Sequence, residues 1–228
     1  MAVKLKKSPK KLTNSSRSWL LRHLNDPYVA KAQKEGYRSR AAFKIIEIDD
    51  KFKLFKKGKI VVDLGAAPGG WSQIAAQKVG AGNVLATDIL PIESIAGVEF
   101  LQLDFLEEGA TDKIKATLAN ITQNKNSHCD IVLSDMAANT TGDKSLDHLR
   151  IINLLELALF LSKDILKPGG AFVGKIFQGG SSNDILSTLR QSFSSVKYFK
   201  PDSSRKDSAE TYLVATGFRS NYTKLSIY

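Results

Sequence analysis

Two acidic residues and a glycine-rich segment are spaced so that they could bind a nucleotide or a nucleoside. The segment GAAPGG at residues 65–70 directly follows an apolar run that is typical of a buried strand. Small residues at a strand-to-helix turn let a ligand approach the backbone closely, and the helix N-terminus offers N–H groups to it. Asp88 ends the next apolar run, about 20 residues after the glycines, where an acid can bind both hydroxyls of a ribose. Asp104 ends the run after that.

A lysine lies where an apolar residue is expected. Lys175 stands between Val173 and Phe177 in a run that predicts a central strand. Burying an unpaired charge is costly, so this lysine is a candidate functional group, although an isolated strand lysine is more often at a sheet edge. Asp135 follows another apolar run. Because the carboxyl ends of neighbouring parallel strands line one crevice, we expect Asp135 to converge there with Gly69 and the two other acids.

The elements that must position these residues alternate along the chain. Short apolar runs predict seven strands, at residues 60–64, 83–87, 98–103, 131–133, 171–177, 196–199 and 211–217. Between them, residues 72–78 predict a helix, and residues 149–166 predict a buried helix that stops at the KPGG sequence of residues 167–170. This alternation predicts a Rossmann-like α/β fold with a mostly parallel seven-stranded sheet, helices on both faces and a closing antiparallel pair.

The positive charge of the chain is concentrated in its N-terminal part. Residues 1–60 hold 17 Lys and Arg against 5 Asp and Glu, a net charge of +12, whereas residues 61–228 hold 16 against 18, a net charge of −2. A basic block of this kind commonly neutralises phosphates, so nucleic acid is the favoured partner. A solubilising tail is the alternative. The candidate RNA-binding residues are Arg17, Arg22, Lys31, Arg38 and Arg40.

Composition argues against several classes of protein. No apolar run approaches the roughly 20 residues that span a bilayer. One cysteine allows no intrachain disulfide, and three histidines beside it are a poor basis for a zinc site. We therefore expect a cytoplasmic, metal-free monomer. We expect a disordered basic arm at residues 1–16, one domain at residues 17–219 whose second helix opens at Ser39 as the N-cap, and a C-terminal tail at residues 220–228.

Six segments resemble a known family. The segment VDLGAAPGGWS at residues 62–72 resembles the cofactor motif of the FtsJ/RrmJ-type ribose 2′-O-methyltransferases. Five further segments resemble the same family: YRSRAAFK at residues 37–44, DILP at 88–91, SDMA at 134–137, KIFQG at 175–179 and KDSAETY at 206–212. Because these segments occur in the family's order, the resemblance covers nearly all of the chain after residue 15.

The resemblance implies a methyltransferase fold and assigns site residues. It implies a catalytic tetrad made of Lys44, Asp135, Lys175 and Glu210. It also implies that S-adenosylmethionine is the cofactor, and that it is bound by Gly65, Gly69, Trp71, Asp88, Asp104 and Asp135. Without the resemblance, Lys44 and Glu210 would be ordinary surface residues, and Trp71 could equally be core packing. The implied substrate is bacterial large-subunit (23S) ribosomal RNA, at a uridine of the peptidyl-transferase A loop.

A ribose hydroxyl is a poor nucleophile and must lose its proton as the methyl group is transferred. We expect Lys175 to be the general base, because partial burial and a second cation make a lysine release its proton more easily. We expect Asp135 to orient Lys175, Lys44 to position the hydroxyl, and Glu210 to hold a lysine or the ribose.

One departure from the family and two alternative functions stay open. The family usually continues SDMA with proline, where this chain has Ala138, so we expect a less rigid loop with retained chemistry. The chain could be a non-catalytic RNA-binding or ribosome-assembly factor that keeps the fold. It could also be an NAD-dependent dehydrogenase, because Gly65, Ala67 and Gly70 followed by Asp88 imitate a dinucleotide-binding pattern, although Pro68 fits that pattern poorly.

Overall fold

The computed structural model describes residues 14–105, 107–123, 127–138, 141–178 and 183–219, which form one seven-stranded sheet covered by helices. The strands are β1 (Val61–Leu64), β2 (Val84–Asp88), β3 (Val98–Gln102), β4 (Cys129–Ser134), β5 (Leu166–Phe177), β6 (Phe193–Phe199) and β7 (Glu210–Phe218). Their order in the sheet is β3-β2-β1-β4-β5-β7-β6, and β7 runs antiparallel to both of its neighbours. The predicted Rossmann-like α/β fold with a mostly parallel sheet is confirmed.

Helices cover both faces of the sheet, and each face has its own apolar core. The helices are α1 (Asn14–Leu24), α2 (Pro27–Glu35), α3 (Ala41–Phe52), α4 (Gly70–Val79), α5 (Ala110–Thr122), α6 (Lys144–Ile165) and α7 (Asn183–Ser192). Apolar side chains of α3 and α4 pack on one face. Those of α5, α6 and α7 pack on the other face. This arrangement follows from strands that are apolar on both sides, because each side needs its own cover.

The strand order places a crevice beside the glycine-rich turn. From β1 the chain moves outward through β2 to β3, and it then returns to add β4 on the other side of β1. Where the winding direction reverses in this way, the loops after the two central strands diverge and leave a crevice at their carboxyl ends. The GAAPGG turn follows β1 and Asp135 follows β4, so both lie at this point.

The N-termini of α2 and α3 are stabilised in different ways. Asp26 caps α2 by accepting a hydrogen bond from the N–H of Tyr28 (3.0 Å). The prediction that Ser39 caps α3 is wrong: Arg40 holds the cap position, and Ser39 Oγ is buried without a hydrogen-bond partner among the described residues. Ser39 instead packs against Gly70, where a Cβ would overlap the serine hydroxyl. The Ser39 side chain therefore lies between the start of α3 and the start of α4.

Two boundaries in the second half of the chain also differ from the prediction. Helix α6 begins at Lys144, because Asp143 caps it by accepting from the N–H groups of Ser145 and Leu146, and not at residue 149. Strand β5 starts directly after this helix and contains the KPGG sequence that was expected to lie outside it. The pairing with β4 shifts in register there, which lets a strand accommodate a proline and two glycines.

Several predictions fall on residues outside the described ranges or only partly inside them. Helix α1 begins at Asn14, so the end of the predicted basic arm is helical, and residues 1–13 and the tail at 220–228 lie outside the description. Residues 139 and 140, after Ala138, lie outside it as well. None of the helices in the described ranges is long and apolar enough to cross a membrane. The same ranges contain no group of three or more His, Cys, Asp or Glu side chains that could hold a metal ion.

We expect Gly174→Ala to destabilise the protein, because a Cβ at this position of β5 would overlap Leu155 Cδ1 and lie 2.9 Å from Phe172 Cε1 in the core. Overpacking of this kind costs about 1–3 kcal/mol, which urea unfolding would measure as a lower midpoint. The double variant Gly174→Ala with Leu155→Ala is the control, because it removes the overlapping atom. If the two substitutions change the free energy of unfolding by strictly additive amounts, the predicted contact is contradicted.

Candidate active site

Four charged side chains from four separate elements meet at the carboxyl edge of the sheet. Lys175 Nζ lies 2.7 Å from Asp135 Oδ1, and Lys44 Nζ lies 2.7 Å from Glu210 Oε1. The two pairs are joined by longer contacts, 3.8 Å from Lys44 to Asp135 Oδ2 and 3.9 Å from Lys175 to Glu210 Oε2. All four side chains are between 7% and 17% exposed. The sequence-predicted tetrad is therefore one nearly buried cluster with two positive and two negative charges.

Strand register explains why these residues meet. Ser134 pairs with Gly174 in the parallel β4–β5 ladder, so Asp135 continues alongside Lys175, which also donates to the Asp135 backbone carbonyl (2.7 Å). In the antiparallel β5–β7 ladder, Lys175 pairs with Tyr212, and Glu210 at the start of β7 lies two residues away on the same face. Lys44 reaches them from α3, which packs on that face.

Tyr212 is a fifth member of the cluster that the sequence analysis treated only as a strand residue. Its hydroxyl donates to Asp135 Oδ1 over 2.7 Å, and its ring packs against Trp71 with the ring centres 5.4 Å apart. Burial, followed by the negative charges of Asp135 and Glu210, raises the pKa of Tyr212 well above its usual value. Tyr212 therefore acts as a neutral hydrogen-bond donor. Its place in the KDSAETY segment, two residues after Glu210, was the available signal.

The charge state of Asp135 follows from its partners. Burial alone would raise the pKa of Asp135, but the ammonium groups of Lys175 and Lys44, together with hydrogen bonds from Lys175 and Tyr212, hold it below its usual range. A carboxylate with this many donors stays ionised. Asp135 is thus the shared acceptor to which both lysines and the tyrosine are directed.

The glycine-rich turn is built against the neighbouring loops. Gly65 and Gly69 both have positive φ, 73° and 100°. A Cβ at Gly65 would overlap Met136, and a Cβ at Gly69 would lie 2.5 Å from Ile95 Cδ1. Only glycine combines this backbone conformation with such close contacts. The turn is therefore packed tightly against Met136 and Ile95 of the neighbouring loops.

Two predicted cofactor-binding acids stand at the edge of this turn. The N–H groups of Ala67 and Leu90 both donate to the Asp88 carboxylate over 2.8 Å, which fixes its orientation. Leu103 N–H donates to the Asp88 carbonyl (2.9 Å), so the backbone brings Asp104 to the same edge. Trp71 is 3% exposed, and its indole N–H donates to the Ala41 carbonyl (2.9 Å). These contacts are those of core packing between α3 and α4, and a contact of Trp71 with the cofactor stays a prediction.

Asp63 is a buried acid under the turn that the sequence analysis did not single out. The Ser72 hydroxyl donates to it over 2.5 Å. Burial, together with the smaller effect of the negative charges of Asp135 and Asp88, raises the pKa of Asp63 to about 7 against the opposing hydrogen bonds from Ser72. The available signal was an acid inside the otherwise apolar segment IVVDL of residues 60–64.

The predicted RNA-binding residues divide into two groups. Arg17 and Arg22 are exposed on α1, and Lys31 is exposed on α2 beside Glu35. Arg38 is partly exposed, and its guanidinium donates to the carbonyls of Glu93 (2.9 Å) and Ser94 (2.5 Å) at the protein surface. The Arg40 side chain is 14% exposed, and its guanidinium donates to the Asp26 carboxylate and to the Ser203 carbonyl. Both arginines thus have partners within the protein, and an RNA contact by either one stays a prediction.

Fold and site together define a class of protein, namely a Rossmann-like α/β protein with a lysine–carboxylate cluster beside the crevice at its topological switch point. The chain belongs to the FtsJ-like methyltransferase family, whose model matches residues 37–218. The resemblance noted in the sequence is thereby confirmed.

Relatives and a solved structure agree with this family. The chain is 56% identical over 209 residues to the ribosomal RNA large subunit methyltransferase E of Bradyrhizobium diazoefficiens, covering 90% of this chain and 89% of that protein. It is 52% identical over 217 residues to the protein of the same name from Azorhizobium caulinodans, covering 93% and 88%. A crystal structure from Plasmodium falciparum, described as a ribosomal RNA methyltransferase, matches with a TM-score of 0.68 and 31% identity, covering 80% of this chain and 98% of that one.

We expect Asp63→Asn to flatten the pH dependence of stability between about pH 4 and pH 7. The folded pKa of Asp63 is about 7 against an ordinary 3.8, so the folded protein holds a proton that the unfolded chain has released. Stability from this group is therefore complete below pH 4 and is lost as the pH rises to 7, by up to about 1.4 kcal/mol per pH unit. Urea unfolding at several pH values would measure the difference. Asp50→Asn, at an exposed acid, is the control, and identical slopes for the wild type and Asp63→Asn would contradict the assignment.

Proposed function

We propose that this protein transfers a methyl group from S-adenosylmethionine to a ribose 2′-hydroxyl of large-subunit ribosomal RNA. The observation that carries the proposal is the nearly buried cluster of Lys44, Asp135, Lys175 and Glu210 beside the glycine-rich turn. Ribosomal RNA as the substrate is supported by the names of the relatives in Bradyrhizobium and Azorhizobium. A uridine in the peptidyl-transferase A loop, the target implied by the sequence resemblance, is the nucleotide that we propose.

The crevice fits the chemical parts of the proposed cofactor. Asp88 presents a carboxylate whose orientation is fixed by two backbone N–H groups, as a ribose diol requires. Gly65 and Gly69 give the turn a backbone conformation that residues with a side chain would not allow, and Asp104 stands at the same edge. S-adenosylmethionine supplies an electrophilic methyl group on a positively charged sulfur. The negatively charged carboxylates at this edge would attract that positive charge.

Lys175 is the group that we propose takes the proton. As the 2′-oxygen forms its bond to the methyl carbon, the bond from that carbon to sulfur breaks and its electron pair stays on sulfur. The hydroxyl proton moves to Lys175 Nζ, which must be neutral beforehand. With Lys175 neutral, the tetrad carries one net negative charge, and a cation bound beside it offsets that charge.

The other members of the cluster orient this base. Asp135 holds Lys175 through both its carboxylate and its backbone carbonyl, each at 2.7 Å, so the amine has one defined position. Lys44 is held by Glu210 and directs its ammonium into the cluster, where it can position the acceptor hydroxyl. Tyr212 adds a neutral donor to Asp135 and leaves the charge balance unchanged.

The basic N-terminal helices supply the face for RNA. Helices α2 and α3 pack together, and α3 carries Lys44, so RNA phosphates bound by Arg17, Arg22 and Lys31 would lie on the same side as the cluster. Phosphate contacts position an RNA, and selection of one nucleotide then follows from RNA shape. Such a substrate lies in the bacterial cytoplasm, which we propose as the site of action. A monomeric state stays a prediction.

The two alternatives have less support. A non-catalytic RNA-binding factor would have no need for four nearly buried charges in mutual contact, which are costly to bury and are retained here. An NAD-dependent dehydrogenase disagrees with membership of the methyltransferase family. Incubation with labelled S-adenosylmethionine and ribosomal RNA or large-subunit particles from a strain lacking the enzyme, followed by mapping of ribose methylation, tests the proposal. Absence of label transfer to any RNA would favour the binding factor.

We expect Lys175→Ala to reduce kcat by about 100-fold or more, because it removes the proposed general base. Cofactor affinity should be retained, since Lys175 lies in the cluster and not in the glycine-rich turn. Labelled methyl transfer and cofactor titration would measure the two effects. Lys167→Ala is the matched control, because Lys167 lies on the same strand but pairs with Asp130 at the other end. Near-normal turnover by Lys175→Ala would rule out the base assignment.

We expect Arg38→Gln to weaken S-adenosylmethionine binding roughly 10-fold, because it removes hydrogen bonds that hold residues 93 and 94 against the glycine-rich turn. The KM for RNA should change little. Arg22→Gln, on the exposed face of α1, should show the opposite pattern. Cofactor titration and steady-state kinetics separate the two. A raised KM for RNA with unchanged cofactor affinity in Arg38→Gln would support the original sequence prediction that Arg38 contacts RNA.

A further inference from the structure

A small cavity opens directly beside the charged cluster, on the side of the N-terminal helices. Its volume is about 150 Å³, and it is lined by Arg40, Lys44, Arg205, Ser208 and Glu210. Since a water molecule occupies about 30 Å³ of liquid, the cavity has room for a group the size of a phosphate. Two of its lining residues, Lys44 and Glu210, also belong to the tetrad, so a ligand in the cavity would adjoin the reacting hydroxyl.

The two arginines of the cavity share one carboxylate. Asp26 Oδ2 accepts from Arg40 Nη1 and from Arg205 Nε (3.1 Å). Arg205 makes this bond through its Nε, and its side chain is 31% exposed. Among the charged residues that line the cavity, Arg40, Lys44 and Arg205 are positive and Glu210 is negative. The cavity therefore has an excess of positive charge next to guanidinium donors that suit phosphate.

The segment that carries Arg205 is held in place by side chains of α3 and β7. The N–H groups of Asp202 and Ser203 donate to the Glu47 carboxylate over 2.5 Å and 3.1 Å. The Ser204 hydroxyl donates to Glu210 Oε1 over 3.0 Å. The cavity and the catalytic carboxylate are thus positioned by the same segment. A site fixed before binding loses less entropy when the ligand arrives.

We propose that this cavity binds the 3′-phosphodiester of the nucleotide that is methylated, with Arg205 as the phosphate contact. The inference rests on the proposed function and deepens it. The 2′-oxygen and the 3′-oxygen sit on neighbouring ribose carbons, so a hydroxyl held by Lys44 and Lys175 has its 3′-phosphate at the next position, whereas the 5′-phosphate lies across the sugar. The protein is then selective for internal nucleotides. A terminal ribose with a free 3′-hydroxyl has no 3′-phosphate to occupy the cavity.

The first experiment is kinetic. Wild type, Arg205→Gln and Lys163→Gln are assayed for methyl transfer to unmethylated large-subunit particles over a range of salt concentrations. Lys163→Gln is the matched control, because it removes the same charge from α6 on the opposite face of the sheet. Arg205→Gln should raise the KM for RNA about 10-fold, with cofactor affinity unchanged. It should also reduce by about one the salt slope, which is the slope of log RNA affinity against log salt concentration. A salt slope equal to that of Lys163→Gln would overturn the proposal.

A second variant separates phosphate binding from a structural role. Asp26→Asn keeps the cap of α2, because asparagine caps helices as well as aspartate does, but it removes the negative charge shared by the two arginines. If Arg205 binds phosphate, Asp26→Asn should retain or tighten RNA binding. If Asp26→Asn instead reproduces the defect of Arg205→Gln, then Arg205 serves only to hold Asp26 and the proposal is overturned.

The last test addresses which phosphate is bound. Once the methylated nucleotide has been mapped, ligated RNA carrying one neutral methylphosphonate on its 3′ side is compared with RNA carrying it on the 5′ side. The 3′ substitution should raise the KM for wild type about 10-fold but add nothing in Arg205→Gln. Equal effects in both proteins would overturn the inference while leaving the methyltransferase function intact. Failure of wild type to methylate any RNA would overturn the proposed function itself.

Discussion

The contact between Lys175 and Asp135 is the constraint on which the rest of the site depends. A lysine inside an apolar strand is tolerated only with a partner, and the end of the neighbouring parallel strand supplies one at 2.7 Å. That carboxylate then requires further donors, which are Tyr212 and Lys44, and Lys44 in turn is held by Glu210. Helix α3 and the three strands β4, β5 and β7 are therefore fixed relative to one another by the need to satisfy one buried charge.

Helix α3 joins the two chemical halves of the molecule. It carries Lys44 into the cluster, while Trp71 fastens it to α4 and so to the glycine-rich turn. Just before it, Arg38 binds the carbonyls of the segment that follows Asp88. Movement of this helix would disturb the acceptor side and the cofactor side together. Some basic residues of the N-terminal region thus make hydrogen bonds within the protein, although the sequence shows them only as positive charges.

Much of the fold and part of the site could be predicted from the sequence. The strands were recognisable because parallel strands that are covered on both faces read as continuous apolar runs, and Lys175 stood out because it interrupts such a run. The contacts of Arg38 and Arg40 within the protein could not be predicted, because their partners are backbone carbonyls and a carboxylate distant in the chain. The capping role expected for Ser39 failed for a similar reason, since contact with Gly70 depends on how two helices pack. Tyr212 and Asp63 each had a signal in the sequence, but their partners Asp135 and Ser72 follow from strand register and helix packing, which the sequence pattern does not show.

The position of β7 in the sheet bears on how the protein is made. Among the described strands β7 comes last in the chain, yet it lies between β5 and β6, and it carries Glu210 and Tyr212. While the chain is being synthesised, β6 has no neighbour to pair with and the lysines lack part of their counter-charge. Both defects are removed in one step when β7 inserts. A chain that has been translated only as far as β6 therefore has no assembled tetrad, because Glu210 and Tyr212 arrive with β7.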